Sequence, residues 1–92
     1  MTVPSTKADA LWNVRRTLHH VAMDVDDPDV LARIEEACDA IDDRRGLLLG
    51  APQADPERLQ AARDLVITRL VEVVLVNASD DTTGCLRTVN EL

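Results

Sequence analysis

DPERLQAARDLVITRLVEVVLVN, running from Asp55 to Asn77, is the stretch whose reading decides the fold. Asp55 ahead of Pro56 is a helix start: the carboxylate accepts from the orphan N–H groups of the first turn. Proline at the first helical position loses no hydrogen bond. Leu59, Ala62, Val66, Leu70 and Val73 then recur at three- and four-residue spacing and make one apolar face. Ile67, Val71 and Leu75 form a second row at i, i+4 spacing, turned by about 100° from the first. The β-branched content of 65–76 raises a strand alternative. The helical lead-in ERLQAARDL and the lack of partner strands elsewhere argue against it.

Working outward, a second segment opens with the same device, Asp27-Pro28-Asp29. Val30, Leu31, Ile34, Ala37, Cys38 and Ile41 face a core, and Gly46 is a plausible cap. Leu47, Leu48 and Leu49 then add a turn or plug the end of the bundle. Before it, Ser5 or Thr6 caps a first helix carrying Leu11, Val14, Leu18, Val21, Ala22 and Val25 on one side. After Asn77 the chain turns polar. CLRTVNEL, with Cys85, Leu86, Val89 and Leu92, reads as a short helix capped by Asp80 or Asp81, as a docked tail, or as a disordered end.

The expectation is one all-α domain over 1–92: an antiparallel three-helix bundle with helices near 7–24, 28–45 and 56–77. A short C-terminal fourth helix (81–90) or tail completes it. A chain of 92 residues buries somewhat over ~60% of its unfolded surface, enough for one modest core. Trp12 is the single aromatic residue, so that core is aliphatic. A three-helix unit covers one face of 56–77, which leaves Ile67, Val71 and Leu75 for another chain; dimerisation through the third helix is the expected use. Trp12 is a further candidate interface residue, although packing over the core edge is the favoured reading for it.

The formal charge is −7, from 17 acidic and 10 basic residues. Nucleic-acid binding needs clustered positive charge to displace counterions, and anionic membranes repel an acidic surface, so neither is an expected partner. No apolar run reaches the ~18 residues that span a bilayer. The start of the chain has no apolar signal region, so the expected compartment is cytoplasmic, with Cys38 and Cys85 as reduced thiols.

Sites of chemistry are sparse. His19 and His20 are adjacent and point about 100° apart on a helix, so they do not chelate one metal together. No CxxC pair and no Gly-rich phosphate loop occurs, and neither cofactor nor metal is expected. Glu35, Glu36, Asp39, Asp42 and Asp43 line the far side of the second helix, as a solvated face or a surface for a basic partner. The reading leans away from an enzyme. It favours a small acidic protein acting through protein–protein interaction, as a homodimer or a small subunit of an assembly. The alternative is an antitoxin-like, immunity-like or nucleic-acid-mimicking protein that neutralises a basic partner. A metal-dependent helical enzyme using His19, His20 and the carboxylates comes third.

Overall fold

The computed structural model describes residues 6–50 and 55–92, and the described residues form four α-helices and no strands. In chain order they are α1 (Thr6–Met23), α2 (Pro28–Gly50), α3 (Pro56–Val76) and α4 (Asp80–Glu91). Each helix packs against its two neighbours in a closed ring, α1–α2–α3–α4–α1, and the diagonal pairs do not meet. Short connections force consecutive helices antiparallel, and cross-helix contacts show it. Arg33 reaches Glu72 while Arg69 reaches Glu36, so the numbering runs in opposite senses along α2 and α3. Arg15 with Asp42, and Arg45 with the Ala8 carbonyl, show the same reversal between α1 and α2.

The two Asp-Pro starts fold alike. Asp27 Oδ1 accepts from the Asp29 N–H at 2.9 Å and Asp55 Oδ1 from the Glu57 N–H at 3.0 Å. Of the two caps expected for α1, Ser5 lies outside the described residues and Thr6 is the first helical residue. At the other end of α2 the expectation fails. The helix runs through Gly46 to Gly50. Leu47 and Leu48 become half-buried and Leu48 packs on the core, which outweighs the roughly 1 kcal/mol that a helical glycine costs.

The larger correction concerns the three-helix count. The C-terminal segment is a full fourth wall, with Thr82, Cys85 and Val89 buried. Its cap is neither Asp80 nor Asp81 but Ser79, whose side chain accepts from the Thr82 N–H while the Thr82 hydroxyl accepts from the Ser79 N–H. The same hydroxyl donates to the Asn77 carbonyl at 2.7 Å, tying the α3–α4 corner together inside the protein. Asp80 and Asp81 instead place negative charge in the first turn, where the dipole favours it.

The core between these walls is aliphatic. Leu11, Leu18, Ile41, Val66, Leu70, Val73 and Val89 are essentially inaccessible, and Cys85 joins them.

Two substitutions in α4 test this arrangement in opposite directions. Thr82→Val keeps the shape but removes the buried hydroxyl from the Asn77 carbonyl and the Ser79 N–H, and is expected to cost about 1–3 kcal/mol in urea unfolding. A Cβ at Gly84 would meet nothing within 4 Å, so Gly84→Ala is expected to raise stability by about 0.5–1 kcal/mol. Both results fail if α4 contributes nothing to the cooperative unit.

Candidate functional site

The second apolar row of α3 divides in two. Ile67 is half-buried and packs against the core, on the side of α3 that also carries Arg63, whose Nη2 donates to the Asn90 carbonyl of α4. Val71 and Leu75 stay outside, at 38% and 78% exposure. Helical spacing puts Asp64 and Thr68 on the same outer strip, and both are exposed or half-exposed.

Trp12 is 43% exposed and already has company. The guanidinium of Arg45 lies 5.0 Å from its ring centre and that of Arg15 lies 5.8 Å away, so two cations use the ring's electron-rich surface.

Glu35, Glu36, Asp39, Asp42 and Asp43 are all exposed. Asp42 meets Arg15 Nε at 2.9 Å and Glu36 meets Arg69 at 3.5 Å. The first contact is close, but its direction does not make a hydrogen bond. Arg69 also reaches Glu72 at 3.0 Å, which in turn faces Arg33 at 3.7 Å. This half-exposed chain of charges across α2 and α3 contributes little stability and fixes register. Glu35, Asp39 and Asp43 form no ion pair among the described residues.

His19 borders an open groove between α1 and α2 with Arg15, Glu35, Cys38 and Asp39. His20 is exposed and does not line that groove. Among the described residues, no three His, Cys, Asp or Glu side chains come close enough to hold a metal ion. No helix of the described residues is long and apolar enough to cross a membrane.

Cys38 is half-buried and Cys85 buried, both as free thiols. Cys85 Sγ lies 3.8 Å from the Val14 carbonyl across the α1–α4 contact. Burial raises the Cys38 thiol; Arg15 opposes the shift, while Asp42, Asp39 and Glu35 reinforce it. A raised thiol is the reverse of the lowered one that activates a cysteine nucleophile.

Arg44, in the second half of α2, is charged and yet only 4% exposed. Its Nε and Nη1 have no hydrogen-bond partner among the described residues. Periodicity carried the signal: Val30, Ile34, Ala37, Ile41, Arg44 and Leu48 recur at three- and four-residue steps, which puts Arg44 on the apolar stripe.

No known protein family, curated protein or solved structure matches the chain.

Cys85 gives a pH prediction. Burial, then the Asp81 charge and Cys38, push its thiol from 9.0 up to about 11. Above the ordinary value the unfolded chain releases this proton and the folded chain keeps it. The group's contribution is therefore flat below pH 9 and falls as pH climbs from 9.0 to about 11. The loss over that window is at most about 2–3 kcal/mol. Urea midpoints of the wild type and Cys85→Ala are expected to converge across that window; parallel curves would contradict the shift.

Proposed function

We propose that this chain is a small acidic, non-enzymatic helical protein that acts through protein–protein interaction. It pairs with a second copy of itself, or enters an assembly as a small subunit, through the outer face of α3. The observation that carries this reading is the pair Val71 and Leu75. They lie one turn apart and stay exposed after α2 and α4 have docked on either side of α3. A helix against solvent normally turns polar side chains outward; here the strip begins with Asp64 and Thr68 but ends in the aliphatic pair Val71 and Leu75. Ile67, at the edge of the strip, continues it toward the core. Helix pairing about a two-fold axis makes such a strip self-complementary.

Sedimentation velocity at tens of micromolar is the test, with a dimer mass expected. Leu75→Glu and Val71→Glu alter exposed positions, so each is expected to leave the fold intact and weaken association about tenfold to a hundredfold. A fully folded monomer at that concentration would contradict the proposal.

A second reading has support of its own. Glu35, Asp39 and Asp43 project from one face of α2 with no internal cation to neutralise them among the described residues. Such a face suits a basic protein partner, as in an antitoxin, an immunity protein or a nucleic-acid mimic. A complex of that kind dissociates as salt rises, whereas apolar α3 pairing persists. Metal-dependent catalysis by His19 and His20 has no comparable support, since they do not converge with other ligands among the described residues.

A further inference from the structure

At the end of the bundle where α1 and α3 begin and α2 and α4 finish, an open pocket holds Lys7, Arg44 and Arg63, walled by Leu48, Leu59 and Leu92. Among the described residues, no side chain lining this pocket is acidic, in a chain whose formal charge is −7. Three helices each supply one cation. The helix dipoles contribute little, because two positive and two negative ends meet there and largely cancel. The side chains themselves therefore set the local charge.

Arg44 makes the pocket unusual. A buried guanidinium is ordinarily paired and hydrogen-bonded, because desolvating it alone is costly. Here the side chain is buried, two of its nitrogens have no partner, and it forms no ion pair with any carboxylate among the described residues. Burial, and then the neighbouring charge of Arg63, lower the pKa of Arg44, so the two cations repel each other across the pocket. A bound anion would offset both costs at once.

We propose that this pocket is an oxyanion-binding site for a phosphate group, free or carried as a phosphomonoester, held between Arg44, Arg63 and Lys7. A phosphate dianion fits better than a carboxylate: its oxygens accept from several cations at once, and its charge balances more than one of them. The half-buried leucines Leu48, Leu59 and Leu92 lower the polarity on one side of the pocket, which strengthens those contacts. The site is separate from the α3 face and does not depend on how the protein associates.

The test uses the full chain and inorganic phosphate, with acetate and chloride at the same ionic strength as comparisons. At ten times its dissociation constant, phosphate is expected to raise Tm by about 5–10 °C, from linkage in a domain of this size. Arg44→Met and Arg63→Gln are expected to lose most of that response. Phosphate is also expected to shift the side-chain Nε–H resonances of Arg44 and Arg63 in wild-type spectra, which decides the matter even if a variant fails to fold. An equal response to acetate would replace phosphate with a carboxylate ligand and so overturn the assignment. An unchanged Tm with unmoved arginine resonances, or variants that respond like wild type, would overturn the site altogether.

Discussion

The structure depends on closing an aliphatic core without aromatic side chains. Leucine, isoleucine and valine each bury less surface than phenylalanine or tryptophan, so more walls are needed to exclude water from the same length of helix. α4 supplies the missing wall. Val89 and Cys85 fill the space between α1 and α3, and the Thr82 hydroxyl fixes where α4 leaves the α3 corner. That hydroxyl donates its one proton to the Asn77 carbonyl at 2.7 Å and accepts from the Ser79 N–H at 3.0 Å, on a side chain that is itself completely buried. That corner sets the angle from which Cys85 and Val89 enter the core.

Much of this was legible in the sequence. Both Asp-Pro starts fold as read, because capping and proline geometry act within three residues and need no tertiary help. The apolar stripes of α1, α2 and α3 are the buried ones for the same local reason. What escaped was non-local. The capping box of α4 joins Ser79 to Thr82, but its worth comes from the Asn77 carbonyl behind it, which composition does not reveal. Gly46 looked like a stop signal, and burial of Leu47 and Leu48 beyond it carries the helix through. Arg44 carries a charge, yet its spacing places it among the core positions. The α3 strip was read as three residues awaiting a partner; α4 packs on that side of Ile67, and Val71 and Leu75 remain outside.

The charges are sorted by depth. The acidic side chains of α2 face solvent, while Arg44 is drawn inside at one end of the bundle with Lys7 and Arg63 around the pocket mouth. An acidic exterior keeps a small protein soluble at modest cost. A buried Arg44 beneath an open basic pocket does not serve that purpose and adds a desolvation cost of its own. The arginines elsewhere are used differently: Arg15 and Arg45 lie over Trp12, and Arg33 and Arg69 link α2 to α3. In each of these places the guanidinium has a partner. The contrast with Arg44 is physical, and it makes that end of the bundle the most demanding place in the fold.

Native-state hydrogen exchange tests the central claim, that α4 is an integral wall of the core, more directly than any substitution. If Cys85 and Val89 close the bundle, amides in the middle of α4 are expected to exchange only through global unfolding, with the same free energy as those of Leu70 and Ile41. Protection of α4 well below that of α1–α3, with the remaining helices still exchanging at the global limit, would show a three-helix core carrying a loosely docked tail and would contradict the account.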